Sequence, residues 1–393
     1  MNVKVIGIGA AGNKAAICAV ANSVLRDNDI LLMNTAFQDI PEMYKTRSLL
    51  FGNTTTGGCG KERKRSQTFI SNFIENDNGL AEAFNQLISP GDLVVIVAST
   101  EGGTGSGAAP IIAAYINEVI GVRPQLIAFT GTEDDLRGLQ NTLDFFKDCS
   151  EMCDGIVVQA ISNKKYMPVA NSNKLKAEQL ANMDFVNRIK VLQGSILRES
   201  TQNIDAMDHL KLVTTSGYMS IESITSTEAI ENVSQFNDLC EKMINSSKSL
   251  STGSDRLKRL GIVLTIDEDD KDNIDWTFEK IKSQFAEVGE VFLHVQTTRT
   301  EERQIVVIMC GMEMPIKFVT ATYEKFKARM SKSAKETDFG KTMASIKTDA
   351  LSMDMDNPLA SGKNITSSKF LDKLNNKKAA NSSDEDNSSL KDY

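Results

Sequence analysis

Seven residues, Glu101-Gly-Gly-Thr-Gly-Ser-Gly107, constrain this chain more than any other stretch. They follow the strongest strand-like run, Leu93–Ala98, and lead into a helix opening at Ala108-Ala109-Pro110. Four glycines and two hydroxyls between a strand and a helix bring backbone amides close enough to cradle an anion, and the helix amino end favours negative charge. Ordinary strand-to-helix turns rarely need four glycines. The stretch therefore asks for an α/β fold in which a phosphate-bearing ligand sits at the carboxyl end of a strand.

The rest of the chain supplies such a fold. Val3–Ile8, Ile30–Met33, Gln125–Phe129 and Gly155–Ala160 are short apolar runs that read as buried strands. Between them Ala10–Leu25, Thr68–Gln86, Ala108–Ile120 and Leu139–Met152 read as helices, which predicts a parallel sheet covered on both faces. Lys174–Arg198 predicts a long helix with no Gly or Pro before Gly194. After it Leu260–Asp267, a helix near Trp276–Val288, Glu290–Thr297 and Gln304–Cys310 read as a smaller β-α-β-β unit. Ser246–Asp255 reads as a loop, and a helix is expected from Val319 to about Met330. The expected organisation is a Rossmann-like parallel-sheet domain at 1–172, a central helix at 173–200 and a connecting segment at 201–255. A second α+β domain at 256–318, a basic helical region at 319–350 and a disordered polar tail at 351–393 complete it.

Two further glycine loops bear on the ligand. Gly7-Ile-Gly-Ala-Ala-Gly12 is a GxGxxG between a strand and a helix, placing Gly9, Ala10, Ala11 and Asn13 near phosphate. Alone it suggests a dinucleotide site and an NAD-linked oxidoreductase. That reading wants an acid at the end of the second strand to hold the ribose, and here stand Asn34 and Thr35. Gly57-Gly58-Cys-Gly-Lys61 is a near-miss of a P-loop, with Thr55 in place of the first glycine and Glu62 in the last position. It reads either as a third phosphate loop or as a flexible surface turn.

Composition narrows the class. Of 393 residues, 41% are hydrophobic and 24% charged, as in a globular protein, and the formal net charge of -8 excludes a generally basic nucleic-acid-coating surface. Six cysteines without a CxxC pair and only two histidines argue against a structural zinc site. No apolar run approaches the ~20 residues of a membrane span, and the first residues lack a signal-peptide layout. A cytoplasmic protein is expected.

Gly102–Gly107, preceded by the GxGxxG loop, resembles the tubulin/FtsZ superfamily of GTP-dependent filament proteins. Asn34 is similar to that family's second-strand Asn, and Asn163 in Ile161-Ser-Asn-Lys to its guanine-contacting Asn. Asn203-Ile-Asp205-Ala-Met-Asp208 is similar to the NxDxxD loop after the family's central helix. The resemblance covers about residues 1–320. It implies GTP/GDP held by Gly9, Ala10, Ala11, Asn13, Asn34, Gly57, Gly58, Gly102, Gly103, Thr104, Gly105, Ser106, Gly107 and Asn163. It further implies Mg²⁺ carried by the phosphates and water rather than by protein ligands. Glu133, in the acidic turn Gly131–Asp135, is the candidate ribose contact, with a solvated turn as the alternative. Asn187 is the candidate second base contact with Met183 or Phe185 against the ring; a helix-surface Asn and core apolars are the alternative. Asn203, Asp205 and Asp208 would act on the nucleotide of the next subunit in a head-to-tail filament, so the implied activity is a polymer-activated GTPase. Glu101 departs from the family, which has a small residue there, and admits a non-hydrolysing nucleotide-binding scaffold as an alternative. The basic stretch from Lys325 to Lys347 and the polar tail are most similar to TubZ-type partition proteins of plasmids and phages. That likeness implies a DNA-bound adaptor engaged through the carboxyl-terminal region, with no direct sequence-specific DNA contact and no membrane. A division filament like FtsZ, or a phage-DNA-positioning tubulin, is the alternative within the family.

Overall fold

Both alternating residue sets of Leu93–Ser99 are apolar, so this strand is stable only between two covering layers. The computed structural model provides them, and describes residues 2–52, 57–76, 79–197, 204–226, 233–245, 257–268, 283, 285, 287–298 and 303–336. The first half runs β1 (Val3–Ile8), α1 (Gly9–Ala21), β2 (Ile30–Asn34), β3 (Ser48–Leu50), α2 (Arg63–Glu75), α3 (Leu80–Leu87), β4 (Leu93–Ser99), α4 (Thr104–Tyr115, continued by a π turn to Ile120) and β5 (Gln125–Thr130). There follow α5 (Leu136–Met152), β6 (Val157–Ser162), α6 (Asn163–Tyr166), α7 (Lys174–Gln193), α8 (Ala206–Val213), β7 (Gly217–Ser226) and α9 (Val233–Asn245). The carboxyl-terminal elements are β8 (Arg259–Asp267), β9 (Glu290–Thr298), β10 (Arg303–Met312) and α10 (Ile316–Glu336).

The strands form one sheet in the order β3-β2-β1-β4-β5-β6-β7-β10-β8-β9. β1 to β6 are parallel, with Ile8 beside both Met33 and Ala98. Alternation in β4 sends Val94, Ile96 and Ala98 into a core shared with α4 and α5, and Val95 and Val97 into a second core shared with α1, α7 and α8. The expected mostly parallel α/β sheet with helices on both faces is present. Its carboxyl-terminal part is mixed: β8 and β9 are parallel, and β10 is antiparallel to both β7 and β8.

Several boundaries differ from the sequence reading for local reasons. The single helix expected at Thr68–Gln86 is two, and Gly79, at φ +76°, opens the second. The helix expected from Ala108 starts four residues earlier, so the glycine cluster forms its first turn. The helix expected from Leu139 starts at Leu136, because Asp135 caps it by accepting from the Gly138 amide at 2.8 Å. The strand expected from Gly155 begins at Val157, since Gly155 turns the chain at φ +78°. β7 and α9 stand in the segment read as connection, and β7 joins β6 to β10, so the two halves share one sheet. Most of the helix expected near Trp276, the Ser246–Asp255 loop, Asn203 and the tail lie outside the described residues. Among the described residues no helix is long and apolar enough to cross a membrane.

α7 and α8 are fastened to the sheet by buried polar groups. Arg188 donates to Asp184 (3.3 Å) and Gln159 (3.0 Å), Gln159 to Gln125 (2.9 Å), and Gln125 to the Val213 carbonyl at the end of α8 (2.8 Å). Each member is buried or half-buried and partnered, which fixes the helices in one register.

Candidate functional site

The strand order reverses at β1: α1 carries the chain to β2 on one side, while β4 lies on the other. A crevice opens at the carboxyl ends of strands at such a switch point. Here it lies between Ile8 and Ala98, where the first and third glycine loops begin. Neither α1 nor α4 has a side-chain cap at its amino end. Gly9 takes φ +74°, and a Cβ on it would lie 3.2 Å from the Gly105 amide nitrogen. Two uncapped helix amino ends thus converge, with Ala10 exposed and Ala11 half-buried at the mouth.

The glycines of the third loop divide by task. A Cβ on Gly103 would meet the Gly60 carbonyl at 2.6 Å, one on Gly105 the Ile8 and Ser99 carbonyls near 3 Å, and one on Gly107 the Arg63 carbonyl at 2.5 Å. Only at Gly102, of these four, would an added Cβ meet nothing within 4 Å. Three glycines therefore let α4 pack closely, and one faces open space. The Gly103 amide donates to Gly60 at 2.8 Å, which ties the second loop to the third. Gly58 and Cys59 lie against Ala36 and Thr35, and the Thr35 and Thr104 hydroxyls are 2.7 Å apart. Ser106 departs from the sequence reading: it is fully buried and its hydroxyl donates to the Gly102 carbonyl, so that oxygen does not face the crevice. A hydroxyl in a first helical turn reaches back to the carbonyl four residues earlier.

Buried polar atoms at the carboxyl ends of the strands or just beyond them lack protein partners: Asn13 Oδ1, Asn34 Nδ2 and Asn163 Oδ1, and Thr130 Oγ1 in the small pocket beside Glu101. Asn34 holds the Thr35 amide with its oxygen (2.8 Å), and Asn13 reaches the Met33 carbonyl at 3.4 Å. Orphaned polar groups beside an open amide-lined crevice fit a polar ligand. Asn163, after β6, leaves an acceptor suited to the N–H edge of a guanine base.

The acidic turn is ion-paired throughout: Glu133 with Lys164, Asp134 with Lys174, and Asp135 with Lys61. Glu133, at φ +60°, thereby stands next to the residue following Asn163. Glu101 turns away from the amide nest. Its carboxylate lies where a Cβ on Gly131 would be, 1.9 Å away, and beside Gly138. Burial raises the Glu101 carboxyl above its ordinary value, opposed by the Lys61 charge. It lines a small pocket with Thr130, Glu133 and, from α10, Val319 and Thr322. On α7, Asn187 and Met183 are exposed on one face, whereas Phe185 is fully buried against Phe129 at 6.3 Å. Phe185 is thus a core residue, not a ring contact.

Sequence reasoning missed Arg63. It is buried, donates to the Ser106 carbonyl (3.0 Å) and to Asp148 (2.6 Å), and so holds the first turn of α4 against α5. In the run Lys61-Glu-Arg-Lys-Arg65 it looks like one solvated charge among several.

The second acidic group lies at the other end of the molecule. α7 starts beside the acidic turn, through Lys174–Asp134, and ends with Gln193 donating to the Val24 carbonyl past the end of α1. Its 20 residues span about 30 Å. Asp205, just beyond, caps α8 by accepting from the Asp208 amide at 2.8 Å, and is exposed; Asp208 is half-buried. The three glycine loops, Asn34, Asn163 and Glu133 are therefore brought together at one pole, and Asp205 and Asp208 stand at the opposite pole.

Comparison with known proteins bears on the family and the fold. Residues 2–171 match the sequence profile of the Tubulin/FtsZ family, GTPase domain. Cell division protein FtsZ 1 of Pyrococcus abyssi is 25% identical over 243 residues, covering 59% of this chain and 62% of that relative, so the match spans less than two thirds of its length. Among solved structures, a GTPγS-form protofilament of Bacillus thuringiensis serovar israelensis TubZ superposes with TM-score 0.67 at 14% identity, covering 86% of this chain and 95% of that one. The GTPγS-bound protofilament of CetZ2 from Haloferax volcanii gives 0.65 at 18%, covering 86% and 100%. At such identities the structures establish the shared fold.

Proposed function

From a chain whose residues 2–171 form a GTPase domain of the Tubulin/FtsZ family, we propose a GTP-hydrolysing protein that polymerises head to tail. One observation carries the reading: the amide-lined crevice lies at the carboxyl ends of the strands, whereas the acidic pair lies past the far end of α7, on the helix α8 that is tied to the amino end of β5. They can act on one nucleotide only if two copies meet end to end, and a heterologous contact of that kind does not close but generates filaments. Exposed apolar side chains at both poles support it. Val169 (67% exposed) follows the carboxyl end of β6 and precedes α7, and Met207 (71%) lies beside Asp205.

Within this reading the amides of Gly9, Ala10, Ala11, Gly102, Thr104, Gly105 and Ser106, with the Thr104 hydroxyl, hold the phosphates, while the Gly103 and Gly107 amides donate to the Gly60 and Gly103 carbonyls and shape the loop. Gly57 and Gly58 close the cradle, Asn163 and Asn187 recognise guanine, and Glu133 approaches the ribose. Asn13 and Asn34 brace the floor. GTP, the substrate, supplies the γ-phosphoryl group, and Mg²⁺ carried by the phosphates and water would offset their charge. Asp205 and Asp208 of the adjoining copy polarise the attacking water and take its proton, and Asn203 contacts the bound nucleotide across the interface. A bond forms from water oxygen to the γ-phosphorus, and the bond to the bridging oxygen breaks, leaving GDP and phosphate.

In the cell we propose a cytoplasmic filament that moves plasmid or phage DNA through an adaptor bound at the carboxyl-terminal region. The exposed Lys325, Lys327 and Arg329 on α10 support this, as does the TubZ-like fold. The FtsZ relative favours the second reading, a division filament. The biochemical core is tested by sedimentation with GTP, GDP and a slowly hydrolysed GTP analogue, alongside phosphate release. The native protein should pellet with GTP, and Asp205→Ala should pellet at least as well while releasing phosphate at least tenfold more slowly. Absence of any pellet with GTP or the analogue across protein and magnesium concentrations would sink the filament reading.

A further inference from the structure

The chain has two histidines, and both border the acidic loop. His209 lies in α8, with Nε2 2.9 Å from the Val191 carbonyl and its ring over Gly194, where an added Cβ would come within 3.4 Å. It fastens α8 to the end of α7. His294 comes from β9, far along the chain, and is 1% exposed. Its Nδ1 is 3.3 Å from the backbone nitrogen of Ile204, the residue before Asp205.

The hydrogen-bond directions follow from chemistry. A backbone N–H only donates, so Nδ1 of His294 accepts. The neutral ring then carries its hydrogen on Nε2, which lies 3.2 Å from Gln296 Oε1. Gln296 in turn donates through Nε2 to the Thr265 hydroxyl at 2.8 Å. A line of buried groups in β8 and β9 thus fixes the tautomer and ends on the loop amide. Ile204 is itself buried, so it is held by apolar contact and by this acceptor, and Asp205 next to it is exposed.

We propose that His294 is a positioning residue for hydrolysis. By holding the Ile204 amide it fixes the attitude in which Asp205 is offered to the nucleotide of the next subunit. The carboxyl-terminal sheet thereby contributes to turnover without touching nucleotide. The inference rests on the reading of Asp205 given above.

The test uses the full chain with His294→Leu, which removes the acceptor, and His294→Asn, whose Oδ1 can stand near the Nδ1 position. Three readouts are taken: pelleting with the slowly hydrolysed analogue, phosphate release per pelleted subunit, and amide exchange of the Ile204 segment in unassembled protein. His294→Leu should pellet with the analogue within about twofold of the native protein, exchange Ile204 about tenfold faster and release phosphate about tenfold more slowly. His294→Asn should recover both the protection and the rate. Native turnover in His294→Leu overturns the proposal, as does equal slowness of both variants with an intact fold. Should His294→Leu fail to fold, His294→Asn decides: native protection and rate support the assignment, and loss of either in a folded protein overturns it. If the native protein pellets yet releases no phosphate, the reading of Asp205 fails separately, and the exchange measurements still judge the His294–Ile204 contact.

Discussion

Asp29 shows how one side chain can be tied to stability through its titration. It is buried beneath β1 and β2, and burial alone would raise its carboxyl. Hydrogen bonds from Arg26 and from Lys4 at 2.8 Å outweigh that and hold it at about 2, against 3.8 ordinarily. The folded state therefore binds fewer protons than the unfolded chain between these values. Its contribution is complete above about pH 4 and is lost as pH falls toward 2. Asp29→Asn should cost about 2 kcal/mol at pH 7 in denaturant unfolding, with the difference from the native protein vanishing near pH 2. A difference that stays constant over that range would contradict this account. At this scale the sequence was legible where backbone geometry decides and less so where orientation does. The glycine loops could be read because only glycine tolerates such approaches. Ser106 and Phe185 could not, because whether a hydroxyl or ring faces the crevice or the core depends on where a helix begins.

Among elements, α7 was legible from its length of chain without Gly or Pro, and it is the spacer that sets the two poles apart. β7 was not. Its sequence, Gly-Tyr-Met-Ser-Ile-Glu-Ser-Ile-Thr-Ser, mixes polar residues into a strand whose Ser220 and Glu222 are buried and paired with Met309 and Val307 of β10. Tertiary pairing overrides the local pattern there. The buried line from Arg188 through Gln159 and Gln125 to the Val213 carbonyl is likewise invisible in sequence, since its members come from α7, β6 and β5. Gln125→Leu would strand the Val213 carbonyl and a Gln159 N–H, each costly to leave unmade. A loss of about 3 kcal/mol in denaturant unfolding is expected. A change within about 0.5 kcal/mol would mean that the line does not hold α8 to the sheet.

Over the whole molecule, one continuous sheet and one helix of about 30 Å hold the amide-lined crevice and the acidic pair rigidly apart. Sequence reasoning reached both groups through their motifs, but their separation appears only once α7 is seen to run from Asp134 to Val24. On the proposed reading, that separation is why the site is completed only when two copies associate. The most direct measurement is phosphate release per subunit as a function of protein concentration at saturating GTP, with light scattering recorded on the same samples. The rate per subunit should be near zero at low concentration and rise at the concentration where scattering begins. A rate per subunit that is constant down through concentrations at which the protein is monomeric would contradict a site shared between two copies.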